Sequence, residues 1–289
     1  VENKLWWQGQ INADEQELVD VQDLLRFYRH PQKYFLQQRL NIRLLGIEGD
    51  EQEHEPFSIE GMDSYLLNHQ WIEAKLQQSD LSLNKLKAQG RWIYGELGVI
   101  EFNARDQEIQ KFVEKIEAKN AGSSIDPVAI DLYIGSTRLV GSIAHQYSEA
   151  SLIYRYSPLK GKDFIIAWLQ HLILNRQKPH ITHLISQDNY ISFLPEHAEG
   201  DELEQFIDYY QRGQSQPDVF FTEAAFAYIK QQQALNNPKS RSSVSAIVKA
   251  QEALSHTIEQ VYEPELQLLY KNLETVDSLL NSEFEDYCQ

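Results

Sequence analysis

An α/β fold, with a central mixed sheet of about four or five strands and helices packed around it, is what this 289-residue sequence predicts. Three observations carry that expectation. Residues 130–156 hold apolar or alternating runs separated by short turns, Phe164 to Leu174 is apolar almost all round, and amphipathic helical patterns occupy both ends of the chain.

Taken in order, Asn12 to Ile47 reads as two short helices. Asn12 is placed to cap, and Asp14, Glu15 and Glu17 favour a first turn. Leu18, Val21, Leu24, Leu25 and Tyr28 make an apolar stripe. Pro31 must end that helix and suits the first position of the next, which continues through Tyr34, Phe35, Leu36 and Leu40. Gly46 to Pro56 is a polar, acidic loop. Helical patterns follow over Gly61–Gln78 and Ser82–Gln89. Gly90 to Gly98 is a short extended or turn segment bracketed by glycines. Val99 to Lys119 is a helix with Phe102, Ile109, Phe112, Val113 and Ile116 on its inner face, and Ala121 to Ser124 stops it.

The sheet comes next. Ile130, Leu132 and Ile134 share one face of a strand, with Asp131 and Tyr133 on the other. Gly135-Ser136 turns the chain, Arg138 to Tyr147 returns, and a turn at Ser148-Glu149 leads into Leu152 to Tyr156. Asp163 is the expected N-cap of the apolar helix, which must be buried on every side. His180–Ile185 and Tyr190–Leu194 add two strands. Beyond them lie helices over Asp201–Arg212 and from Thr222 through Gln233, and a mobile loop over Asn236–Ser245. A helical remainder is broken at Pro264. The whole, 1–289, reads as one domain: a helical lead-in (1–120), the sheet and core helix (125–195) and a helical C-terminal part (199–289).

Composition narrows the function. Apolar content of 42% suits a globular chain, and no apolar run is long enough to span a membrane. The start lacks both a secretory pattern and an initiator methionine, and the end falls inside an amphipathic helix, so a fragment of a longer polypeptide is expected. A single cysteine, Cys288, excludes internal disulfides and four-Cys metal sites, fits a reducing compartment, and is expected to be inert.

A net charge of −17 argues against a general nucleic-acid footprint, but the charge is uneven. Residues 24–47 carry Arg26, Arg29, Lys33, Arg39 and Arg43 and no acid, whereas Glu252–Gln289 holds nine acids against Lys271 alone. Arg26, Arg29 and Lys33 stack along one helix side. That side reads first as a solvated face; a phosphate-contacting one is the alternative, supported by the interleaved aromatics and the lack of acids. The acidic C-terminal part would face solvent or a basic partner.

Strand, strand, strand, helix is also how divalent-metal nucleases of the PD-(D/E)XK type build their sites. Such a site needs a carboxylate on the middle strand and carboxylate-x-lysine on the next. Here Ala144 follows Gly141-Ser142-Ile143, and Tyr154-Arg155-Tyr156 occupies the second position, so the hard oxygen ligands are missing. Asp131 lies a strand too early, Glu149 sits in a turn, and His145 is a poor Mg²⁺ ligand. His180 and His183, three apart on a strand, face opposite ways and could not share an ion with each other or with His171 without a bulge. No nucleotide-binding or hydrolase motif occurs. No cofactor or metal is expected.

The stretch Asp20 to Pro31, followed by Tyr34-Phe35-Leu36 and Arg39-Leu40, resembles the opening of the C-terminal domain of RecC, the gamma subunit of bacterial exodeoxyribonuclease V (RecBCD). The resemblance continues through Glu55-Pro56-Phe57, Gly90 to Gly98, Arg138 to Ile143, Tyr154-Arg155-Tyr156 and Trp168 to Leu172. The related AddB subunits carry iron–sulfur cysteines, one beside the early proline. Here His30 precedes Pro31, which favours the RecC branch. The resemblance implies a nuclease-like fold without nuclease chemistry that holds RecB-like and RecD-like subunits and guides forked or single-stranded DNA. On that reading Arg26, Arg29, Lys33, Arg155, Lys160 and Lys162 meet phosphates, while Trp92 or Tyr94 stacks on unpaired bases.

Overall fold

The computed structural model describes residues 6–7, 9–12, 16–44, 61–79, 81–119, 121–198, 200–217, 219–239, 243–259, 263–270 and 277–288. Asp14, Glu15 and the acidic loop Gly46–Pro56 lie outside them.

The chain enters as a strand, not a helix. β1 (Leu18–Asp20) leaves Leu18 exposed and Val19 buried, and it runs parallel to a later strand. Only at Asp20 does α1 (Val21–Arg29) begin, because the Asp20 carboxylate accepts the amides of Gln22 (2.7 Å) and Asp23 (3.3 Å). The expected stripe of α1 is buried from Val21 onward, with Phe27 added. Pro31 opens α2 (Pro31–Tyr34), which continues as a π-helical turn over Phe35–Arg39. α3 (Gly61–Leu76), α4 (Leu83–Ala88) and α5 (Gly95–Glu117) follow. α5 starts four residues earlier than expected, absorbing part of the glycine-bracketed segment.

β2 (Ser124–Ile125), β3 (Val128–Ile134), β4 (Thr137–Ile143), β5 (Gln146–Tyr147) and β6 (Ala150–Arg155) precede α6 (Gly161–Asn175). β7 (Ile181–Ser186) and β8 (Tyr190–Phe193) complete the strands. The helical end comprises α7 (Glu202–Arg212), α8 (Thr222–Asn236), α9 (Ala246–Glu259), α10 (Pro264–Tyr270) and α11 (Ser282–Tyr287).

The strands form two sheets where the sequence suggested one. The first has the order β1-β4-β3, the second β2-β5-β6-β7-β8. The expected return strand Arg138–Tyr147 is divided between them at Ala144-His145, where His145 takes a left-handed φ of 57°. Both sheets are mixed: β1 joins β4 in parallel, and β6 and β7 are parallel on either side of the crossover helix α6.

Two apolar cores result. The larger gathers α1, β3, β4 and α6 with α7 to α11, including Leu24, Ile130, Leu139, Leu169, Ile207, Leu254 and Phe284. The second joins α3, α4 and α5 to one face of the five-stranded sheet through Trp71, Trp92, Phe112, Leu152 and Ile185. Ala150, Leu152, Tyr154 and Tyr156 pack in the α3–α5 layer, and Tyr154 also lines, with Ile153 and Arg155, a cleft beside α6.

Candidate nucleic-acid interface

The first turn of α6 is where the two basic regions of the sequence meet. The helix begins at Gly161, capped at Lys160, so Asp163 is its third residue and not its N-cap. One Asp163 oxygen accepts the Lys160 amide at 2.8 Å; the other accepts from the Arg155 guanidinium at 2.8 Å. The carboxylate thus ties strand β6 to the positive end of α6. Arg155 also donates to the Ser157 hydroxyl.

Arg29, on the exposed side of α1, comes to the same place. A cleft of about 560 Å³ is lined by Arg29, Tyr65, Tyr154, Arg155, Lys160 and Lys162, with Asp163 the one carboxylate among the described residues of its lining. An adjoining cleft of about 530 Å³ shares Arg29 and Lys162 and adds Arg26 and Lys33, opposed by Glu223, Glu263 and Glu265. The six basic residues expected to meet phosphates therefore line two clefts that share Arg29 and Lys162.

They are not equivalent. Arg26 pairs with Asp23 at 2.6 Å, Lys33 with Glu265 at 3.2 Å and Arg155 with Asp163 at 2.8 Å. Glu265 is only 2% exposed, so Lys33 neutralises a buried charge. Among the described residues, Arg29, Lys160 and Lys162 form no ion pair. Lys162 is half-buried, and burial lowers its pKa. Lys160 and Arg155 push the same way, with Asp163 and Glu223 opposing.

The two aromatic candidates separate. Trp92 is 1% exposed, its indole N–H donating to the Gly98 carbonyl at 2.7 Å, with Trp71 and Phe102 against its ring. It is a core residue, placed there because Gly98 lets the chain fold back so tightly that a Cβ would sit 2.1 Å from the Ile93 oxygen. Tyr94 is 58% exposed, its hydroxyl donating to the Lys87 carbonyl. It is distant in lining from the basic depression and stands beside exposed Leu97 and Ile100.

The positions expected to hold metal ligands are filled differently. Ala144 is exposed in the passage between sheets, its carbonyl accepting from Gln146 at 2.8 Å. Tyr154 stacks on His69 (6.0 Å between centroids, 17°), and Tyr156 meets Phe112 edge-on at 5.1 Å. Burial raises the pKa of both tyrosines. His69 in turn lies 4.5 Å from Tyr65. Tyr65 and His69 were read only as part of a helix; nothing in their local pattern marks them, since the cleft is assembled across the sheet. Among the described residues no group of three His, Cys, Asp or Glu is arranged to hold a metal ion. His171 bonds Thr182 and Leu194, and His180 bonds Ser151. Burial pushes the Cys288 thiol up to about 12, which leaves it protonated at neutral pH.

Fold and cleft together define a mixed α/β domain with a basic, aromatic-walled depression. A family model described as the RecC C-terminal domain matches residues 16–233. The chain belongs to that family. It is 28% identical over 221 residues to the RecBCD enzyme subunit RecC of Escherichia coli strain K12, covering 74% of this chain and 19% of that protein. The RecC subunit of Buchnera aphidicola subsp. Acyrthosiphon pisum is 24% identical over 264 residues, covering 85% and 23%. That of Haemophilus influenzae is 25% identical over 195 residues, covering 64% and 17%. The chain spans about a fifth of the length of the curated relatives it matches. Among the described residues, no helix is long and apolar enough to cross a membrane.

Proposed function

We propose that this chain is a non-catalytic, DNA-guiding and subunit-assembly domain of an exodeoxyribonuclease V complex, acting in double-strand break repair by homologous recombination. RecB-like and RecD-like subunits are its expected partners, and forked or single-stranded DNA its ligand. The single observation that carries the DNA reading is the convergence of Arg29, Lys160 and Lys162, from two distant segments, on one cleft without ion-pair partners among the described residues. Phosphate contacts of this kind give salt-sensitive, sequence-blind binding.

The domain is read as a PD-(D/E)XK-like fold kept for its shape. The succession β3, β4, β6, α6, β7, with β6 and β7 parallel about the crossover helix, supports that reading. So does the replacement of hard oxygen ligands by Ala144, Tyr154 and Tyr156. An assembly role without DNA is favoured by a different feature, the exposed apolar side chains of Tyr94, Leu97 (77%) and Ile100 (65%) at the start of α5.

Fluorescence anisotropy of labelled forked DNA at low salt tests the proposal. The parent is expected to bind, and Arg29→Glu to bind roughly tenfold more weakly, about 1.4 kcal/mol. Arg26→Glu, which removes a cation already paired to Asp23, should cost less. Equal binding by all three proteins removes the patch from the argument. Linear DNA incubated with the chain and Mg²⁺ or Mn²⁺ should stay intact; digestion would establish an active nuclease instead.

A further inference from the structure

The six cations divide by partner, and the division has a ligand in it. Arg26, Lys33 and Arg155 each hold a carboxylate. Arg29, Lys160 and Lys162 hold none among the described residues, yet they surround one cleft in a chain of net charge −17. Lys162 is half-buried and stands beside Lys160 and Arg155, forms no ion pair among the described residues, and is only partly offset by Asp163 and Glu223, so a further anion in the cleft is favourable. Aromatic rings share the lining: Tyr65 and Tyr154 line the cleft, with His69 between them.

Resting on the DNA reading above, we propose that this cleft is a single-strand subsite, in which Arg29, Lys160 and Lys162 contact successive phosphates and an unpaired base stacks against the Tyr65 wall. Arg155 is the positioning residue. Held by Asp163 at 2.8 Å, its guanidinium lies 5.8 Å over the Tyr65 ring and sets the wall's place against the cations. The cleft, about 560 Å³, is of small-ligand size. It admits a splayed nucleotide and excludes a duplex, whose bases are stacked and paired away from any side-chain wall. An acidic peptide would satisfy the cations but has no planar group for the tyrosines.

The test uses the 289-residue chain and an oligothymidylate carrying one 2-aminopurine. Binding by the parent should quench the 2-aminopurine. The dependence of log Kd on log salt should have a slope near 2, at about 0.7 per phosphate contact on a single strand. Arg29→Gln/Lys160→Gln/Lys162→Gln should abolish most of that slope. Tyr65→Ala should remove the quenching and leave the slope, while Tyr65→Phe keeps both; thermal melts of each variant check that it folds. Parent binding with a slope untouched by the triple substitution, or quenching untouched by Tyr65→Ala, overturns the subsite and leaves the DNA-guiding reading standing. Failure of the parent to bind either single-stranded or forked DNA overturns both. Equal displacement of the oligonucleotide by polyglutamate, with no dependence on Tyr65, reassigns the cleft to acidic peptide and likewise overturns the subsite.

Discussion

His30 joins the two helices that wall the depression, and its two ring nitrogens have opposite fates. Nδ1 accepts the Lys33 amide at 3.2 Å and caps α2. Nε2 is buried without a hydrogen bond, 3.7 Å from Glu263. Burial lowers the His30 pKa from 6.5 to about 4; Glu265 opposes, while Lys33 and Lys162 add to the fall. The unfolded chain therefore takes up a proton below about pH 6.5 that the folded protein refuses until about pH 4. His30 thus removes stability as pH falls through that window, at up to about 1.4 kcal/mol per pH unit. Burial raises the Glu263 pKa, which acts in the opposite sense, adding stability towards acid. Comparing the parent with His30→Asn, which keeps a capping acceptor, isolates the histidine. Urea midpoints at pH 7, 5.5 and 4.5 should fall less steeply for the variant; parallel curves would show that the ring is protonated in the folded state. None of this was legible in the sequence, where His30 served only as the residue before Pro31. Helical spacing put Arg26 and Arg29 on one side of α1, and Lys33, across the break at His30, lines the same cleft. Arg26 pairs with Asp23 only three residues away, but the partner of Lys33, Glu265, lies some 230 residues off in the chain.

At the scale of elements, apolar periodicity located nearly every helix and strand, since both periods are local properties. Partition into sheets was not local. Leu18–Asp20 was absorbed into a helix because Leu18 and Val21 continue a helical stripe, whereas pairing Val19 with Leu139 made it a strand. The junction of α6 and α8 gives this scale its prediction. Gly161 lies where the two helices touch, and a Cβ there would stand 2.3 Å from the Thr222 oxygen and 2.9 Å from the Phe226 Cβ. Its amide donates to Glu223 at 3.2 Å, and Phe164 packs on Phe226 at 4.8 Å. Because the obstructing atom is backbone, Gly161→Ala must push α8 away. The expected cost is about 1–3 kcal/mol, the usual penalty of overpacking, read from chemical denaturation. Lys160 and Lys162 flank the glycine, so the proposed DNA binding should weaken with it. An unchanged denaturation midpoint would mean that the helices separate without cost, contrary to their shared core.

For the molecule as a whole, the acidic C-terminal part has two duties that the sequence could not separate. Its charge suggested a surface that faces solvent or a basic partner. Its apolar residues say otherwise: Leu254, Ile258, Leu266, Leu269, Tyr270, Leu279, Leu280 and Phe284 are all buried in the larger core. Phe221 meets Tyr270 at 5.5 Å, and Lys33 depends on Glu265 for its pair. Ending the chain before Glu252 would open that core to water along α1, α6 and α8. Each lost large side chain is worth about 1.5–3 kcal/mol, so several together exceed the stability of an ordinary domain. The truncated chain should lose its cooperative thermal transition and become protease-sensitive throughout, so any loss of partner binding would say nothing about the acids. Charge substitution is the informative experiment. Glu252, Glu259 and Glu285 are exposed, and among the described residues Glu252 pairs with Lys249 on its own helix. Glu252→Gln/Glu259→Gln/Glu285→Gln should melt within a few degrees of the parent, since exposed ion pairs contribute little. Co-purification with the other subunits should fall if the acidic surface faces a basic partner. A variant that melts like the parent and co-purifies equally well would leave the acids as solvated surface and return the assembly role to Tyr94, Leu97 and Ile100.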